Sequence, residues 1–201
     1  MSVLVPAKAA QAAGTLAELA SASTACVACA DLAESRSRVV VGSFPRGARV
    51  LLVGEAPGAQ EDEAGVPFVG RSGQLLDTLL AEAELPRKTV AVANVLKCRP
   101  PGNRKPRRGE VETCRPWLTR QIALVDPAVV CTLGGTALEW VMGPGARIAP
   151  LRGTVHEYAA RPLVATYHPS AAIRFGPQGA PLAALREDLA LVARLLAEWP
   201  G

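Results

Sequence analysis

Residues 48–58 read Ala48-Arg49-Val50-Leu51-Leu52-Val53-Gly54-Glu55-Ala56-Pro57-Gly58, a short apolar run that breaks into a glycine-bounded loop carrying one carboxylate. A continuous apolar stretch of that length, closed by Gly and Pro, predicts a strand buried on both faces. Downstream, residues 74–83 place Leu75, Leu76, Leu79 and Leu80 at helical offsets, so the unit is strand, loop, helix. The unit recurs. Residues 89–96 are strand-like, a Pro/Gly/Arg loop follows, and residues 111–125 carry helical periodicity. A third copy runs from residues 128–133 through Gly134-Gly135 into a helix over 136–142. A shorter strand at 163–167 then leads through His168-Pro169-Ser170 to a closing helix over 181–198. Four buried strands alternating with helices predict an α/β fold whose mainly parallel four-stranded sheet is covered on both faces. Ligands in such folds sit beyond the C-terminal ends of the strands. Loops 54–58, 94–106 and 168–170 are therefore expected to converge on one site.

Toward the N-terminus, residues 7–21 are rich in Ala and Leu, with Leu16, Leu19 and Ala20 at helical offsets, which predicts a short helix that Gly14 weakens. Val39, Val40 and Val41 predict a short strand or an extended stretch. The 201 residues suffice to bury the core of one compact domain. Apolar residues make up 49% of the chain, yet they fall in short runs, none long enough to cross a bilayer, so a soluble protein without a membrane partner is expected. Residues 1–14 have neither the apolar centre nor the cleavage site of a secretory leader. A reducing compartment follows, in which five cysteines point to ligation, catalysis or burial in preference to disulfides. The net charge of +4 leans only mildly toward phosphate-bearing partners.

Four motifs are candidates for function. Gly54 to Gly58 sets Glu55 between glycines that let backbone approach a ligand, with Pro57 stiffening the turn; a plain tight turn with a solvated Glu has the same sequence. His168-Pro169-Ser170 places a histidine at a strand end, where it can stabilise a developing anion or serve as an ordinary structural residue. Cys26-x2-Cys29, Cys98 and Cys114 offer four thiolates to one centre, zinc or a 4Fe-4S cluster, and spacing does not separate the two. Cys131 lies mid-strand and reads as core. The basic loop over residues 99–108 is suited to phosphates, or to solvent, and supplies affinity without chemistry.

Taken in order, these residues resemble the family 4 uracil-DNA glycosylases, the iron-sulfur branch of that superfamily. The resemblance rests on Gly54-Glu55-Ala56-Pro57-Gly58, on Pro67-Phe68-Val69-Gly70-Arg71-Ser72-Gly73-Gln74-Leu75-Leu76, on Asn94-Val95-Leu96-Lys97-Cys98-Arg99-Pro100-Pro101 and on His168-Pro169-Ser170, and it extends from Cys26 to the closing helix. It implies a three-layer α/β/α sandwich, a single glycosylase domain over residues 1–201, and a 4Fe-4S cluster on Cys26, Cys29, Cys98 and Cys114. It also implies roles: Phe68 stacks on a flipped uracil, Asn94 reads its pairing edge, His168 lies near O2, and Glu55 serves the attacking water. Ala56, Pro57, Gly58 and Ser170 complete the binding loops, and Glu61 falls where a side chain lies beside uracil C5, against the methyl group of thymine. Arg71, Ser72, Ile173 and Arg174 are expected against DNA, with Ile173 as an apolar wedge.

The expected activity is hydrolysis of the bond between uracil and deoxyribose in single- or double-stranded DNA, releasing uracil and leaving an abasic site. The expected protein is a monomer, cytoplasmic, of bacterial or archaeal type and nucleoid-associated when acting. Ala56 stands where glycine is common in the family, and residues 103–108 contain no histidine, unlike a related branch that traps DNA covalently, so trapping is not expected. Three alternatives remain open on the sequence: a related glycosylase for other deaminated bases, a binding module without chemistry, and a zinc-stabilised nucleoside hydrolase.

Overall fold

The computed structural model describes residues 5–198; residues 1–4, where the segment read as lacking a leader begins, and 199–201 lie outside the described residues. In chain order the elements are α1 (Pro6–Ala12), α2 (Leu16–Thr24), α3 (Ala30–Ser35), β1 (Val50–Gly54), α4 (Ala59–Ala64), α5 (Arg71–Glu82), β2 (Val90–Asn94), α6 (Arg108–Val125), β3 (Val129–Leu133), α7 (Gly135–Met142), α8 (Ile148–Leu151), β4 (Val155–Tyr158), β5 (Arg161–Thr166), α9 (Pro169–Phe175) and α10 (Ala180–Glu198). The sheet order is β2-β1-β3-β5-β4, with every neighbour pair parallel except β4 against β5.

Alternation along the strands divides the core. Leu52, Val92, Cys131 and Val164 face one layer, where Leu76, Leu79 and Leu80 of α5 and Leu185, Leu189 and Val192 of α10 cover them. Leu51, Ala91, Ala93, Val130 and Leu163 face the other, under Leu118 and Ile122 of α6 and Ala137 and Trp140 of α7. Both faces of β1, β2 and β3 are buried throughout, which is why their sequences are continuous apolar runs. The three-layer α/β/α sandwich is thus the observed architecture, and Cys131 is core, as expected.

The expected four strands are present and parallel; the fifth, β4, is an antiparallel edge. It is joined to β5 by Ala159 and Ala160, both at positive φ (50° and 60°), a two-residue hairpin turn made without the Asn or Gly that normally signals one. The N-terminal helix is two helices, because Thr15 accepts from the Glu18 amide while Glu18 reaches back to the amides of Gly14 and Thr15 and caps a new start. Residues 39–41 are extended: the Val40 amide donates to Lys97 O at 2.7 Å, and nearby Ser43 makes one antiparallel bridge to Val92. Among the described residues no helix is long and apolar enough to cross a membrane.

Candidate active site

A cavity of about 510 Å³ opens where the chain leaves β1, β2 and β5. Glu55, Ala56, Pro57, Gly58, Glu61, Phe68, Arg71, Ser72, Asn94, His168 and Ser170 all line it, together with Gln60, Pro100, Asn103 and Arg104. Ile173 and Arg174 do not. Ile173 is half-buried on α9, and the exposed apolar side chain there is Phe175, 65% exposed, with the Arg174 guanidinium 5.9 Å from its ring centroid.

The pocket is assembled by close approaches. At the end of β1, a Cβ on Gly54 would lie 2.7 Å from Cζ of Phe68 and closer still to Oδ1 of Asn94, its register partner on β2. Glycine there is what lets ring and amide meet. Phe68 has φ 57°, a strained value for a bulky residue, and its backbone packs on Gly73 of α5, where a Cβ would stand 2.9 Å from Phe68 Cα. Arg87 holds the preceding carbonyl, Pro67 O, at 3.0 Å. The Phe68 and His168 ring centroids are 5.6 Å apart. Asn94 is 2% exposed, and its Oδ1 is buried without a hydrogen-bond partner. Asn94 lines the cavity, so this acceptor is available to a ligand or water that enters it.

His168 caps α9. The Ser170 amide donates to its Nδ1 at 3.1 Å, with the Ser170 hydroxyl 2.8 Å away. Because a backbone N–H can only donate, Nδ1 is unprotonated and the ring proton sits on Nε2. Burial lowers the imidazole pKa from 6.5 to about 4, opposed by the Glu61 carboxylate, so the ring is neutral at pH 7. Glu61 itself is spoken for: Oε2 accepts from the Gly58 amide at 3.1 Å, and Oε1 from Val69 and Gly70 at 2.9 and 2.8 Å. One carboxylate thus ties the first motif to the loop that carries Phe68.

Glu55 accepts a hydrogen bond from Thr136 Oγ1 through its Oε2. Thr136 was not among the sequence candidates, although it opens the helix after the third strand, where the strand-end rule directs attention. Gly134, at φ 97°, leaves room for His168, whose Cβ would be 3.1 Å from a side chain there.

A second, small cavity is bordered by Cys26, Cys29, Cys98 and Cys114 together with Arg36 and Lys97. The four thiols surround a common space instead of closing on a point; among the described residues no three His, Cys, Asp or Glu side chains are grouped to hold a single ion. Arg36 donates to Cys98 Sγ at 3.2 Å and to Cys26 O at 2.7 Å. Burial pushes the Cys98, Cys29 and Cys114 thiols up, Cys29 to about 11 and Cys114 to about 12. Any metal taken up here must therefore displace thiol protons. Burial also lowers the Lys97 ammonium from 10.5 to about 8.

Comparison with known proteins places these features in context. Residues 41–190 match the family model described as the uracil DNA glycosylase superfamily. The type-4 uracil-DNA glycosylase of Thermotoga maritima is 42% identical over 142 residues, covering 70% of this chain and 74% of that protein. Its counterpart in Pyrobaculum aerophilum is 42% identical over 151 residues (71% and 77%), and that of Archaeoglobus fulgidus 39% over 156 residues (74% and 78%).

Proposed function

Because the chain belongs to the uracil-DNA glycosylase superfamily, alongside its type-4 members, we propose that it is a monofunctional DNA-repair glycosylase that hydrolyses the bond between uracil and deoxyribose. The observation that carries this is the convergence of Glu55, Phe68, Asn94 and His168 on one cavity, with Asn94 Oδ1 buried and unpaired.

A stacked base is out of reach, so the nucleotide must leave the duplex, at a cost of a few kcal/mol that single strands largely avoid. In the pocket Phe68 supplies an apolar face. Asn94 Oδ1 accepts from uracil N3–H and its amide nitrogen donates to O4; cytosine reverses both polarities and leaves buried groups unpaired, which is how large discrimination arises. As the bond to the sugar breaks, negative charge grows on the base. His168 meets it with Nε2–H, whose direction is set by the Ser170 amide on Nδ1. A preorganised donor of this kind contributes about 3 kcal/mol in other enzymes. Thr136 occupies Oε2 of Glu55 and leaves the other oxygen to hold water at C1′, while the carboxylate charge favours the cationic sugar. Lys97 has its amine turned onto Asn94 O and Gln121, away from the role of a Schiff-base nucleophile.

Cys26, Cys29, Cys98 and Cys114 are the ligand set for a 4Fe-4S cluster. The fit is chemical: four thiols border one cavity, with an Arg36 N–H on one sulfur. The choice of iron over zinc follows the family resemblance. When bound, the group supplies iron-thiolate bonds that fasten α3, α6 and the segment after β2 together. Arg71, Arg99, Lys105 and Arg108 supply positive charge for DNA phosphates, whereas Arg104 and Arg107 of the same loop are paired with Glu110 and Asp31.

Incubation with an oligonucleotide containing one deoxyuridine tests the activity. Free uracil and a strand that breaks only after alkali are expected; strand breakage without alkali, or no uracil, would contradict it.

A further inference from the structure

Lys97 is 2% exposed, and among the described residues no carboxylate forms a salt bridge with it. Its Nζ donates to Asn94 O at 2.7 Å and to Gln121 Oε1 at 2.6 Å, and the fully buried Gln121 donates onward to Val41 O at 2.8 Å. Its carbonyl accepts from the Val40 amide at 2.7 Å. An ammonium group is costly to bury unless hydrogen bonds replace its water. A methionine would fill the same space without that cost, so the amine has a task.

Sheet topology shows what the task is. β2 is an edge strand, and the carbonyls of Val92 and Asn94, two residues apart, face away from β1. Ser43 satisfies the first, its amide donating to Val92 O at 2.8 Å. Lys97 satisfies the second. The residue expected to read uracil thus has its main chain held by an amine rooted in the wall of the cysteine cavity.

We propose that Lys97 is a positioning residue for base recognition: it clamps the Asn94 carbonyl and thereby aims the Asn94 side chain, fastening the base pocket to the cysteine-lined cavity. This rests on the reading of Asn94 given above, and it is tested by a double-mutant cycle on a single-stranded deoxyuridine oligonucleotide. Lys97→Met is expected to lower kcat/KM on the order of 10²-fold, the scale of a 1 Å misplacement, and to weaken inhibition by free uracil. In an Asn94→Ala background the same change is expected to cost less than about threefold, because the group it aims is gone. Lys97→Met with Gln121→Leu removes one of the two acceptors that the single change orphans, Gln121 Oε1, and leaves Asn94 O unclamped as the proposal requires. It serves if the single variant fails to fold, with circular dichroism, iron content and visible absorption as readouts independent of turnover. A folded variant with wild-type kcat/KM, or an equal loss in both backgrounds, would overturn the clamp. A wild-type rate for Asn94→Ala alone would instead overturn the pocket reading, and the clamp with it.

Discussion

Gly54→Ala isolates the close approach on which the pocket depends, because it adds one methyl group and alters no polar or titratable side chain. The new Cβ would stand 2.7 and 2.9 Å from Cζ and Cε2 of Phe68, where ordinary contact begins at 3.4 Å, and it would press harder still on Asn94 Oδ1. The ring must retreat by at least 3.4 − 2.7 = 0.7 Å, and the amide by more. Gly54 is not among the residues at positive φ, so the methyl group adds crowding without backbone strain. Overpacking of this kind costs about 1–3 kcal/mol of stability. Misplacement near 1 Å lowers rates on the order of 10²-fold, equivalent to about 2.7 kcal/mol. Steady-state uracil release from a single-stranded oligonucleotide, with a thermal melt to confirm folding, is the assay. The expectation is a folded variant whose kcat/KM has fallen on the order of 10²-fold. A folded Gly54→Ala within about threefold of wild type would refute the reasoning that these two side chains must meet across this glycine.

Four further outcomes follow from the same geometry. His168→Ala is expected to lower kcat on the order of 10²–10³-fold. It also changes the pH dependence of stability: between 6.5 and about 4 the unfolded chain binds a proton that folded His168 does not, so wild type loses stability as pH falls through that window and the variant loses less; parallel denaturation midpoints in the two proteins would contradict this. Thr136→Val frees Oε2 of Glu55 and should cost about tenfold or more in kcat with KM little changed, as expected for a hydrogen bond to a charged group; an unchanged kcat would remove Glu55 orientation from the account. Glu61→Ala releases three backbone amides and is expected to lower melting temperature and uracil release together without creating thymine release from a G·T mismatch; thymine release would show that exclusion of the methyl group is its main role. Cys98→Ser is expected to lose iron, visible absorption and uracil release in parallel, since Cys98 follows Asn94 by four residues; full activity without iron would separate cavity from pocket.

What the sequence made legible was governed by range. Strands β1, β2 and β3 are buried on both faces, so each reads as a plain apolar run. The loops that follow β1, β2 and β5 were recognisable because strand ends gather ligand groups. β4 was hidden because its turn is built from Ala159 and Ala160, whose positive φ angles leave no mark in composition. Short α4 is mostly polar and so shows no apolar stripe, while α9 begins inside a functional motif. Least legible were the contacts that hold site residues in place. Thr136 reaches Glu55 across 81 residues, and Lys97 reaches Gln121 across 24, separations that no local pattern encodes. The role of Glu61 as acceptor for three amides likewise depends on where Val69 and Gly70 fold, eight and nine residues away.

On the proposed reading Asn94, whose Oδ1 is buried and unpaired, reads uracil in DNA. Uracil release from one defined oligonucleotide, compared between wild type and Asn94→Ala with binding to the same strand measured alongside, tests it most directly. Wild type is expected to release uracil and spare cytosine and thymine, while Asn94→Ala binds the strand yet loses release on the order of 10²-fold or more. Release by Asn94→Ala at the wild-type rate, or release of cytosine by wild type as fast as uracil, would contradict it.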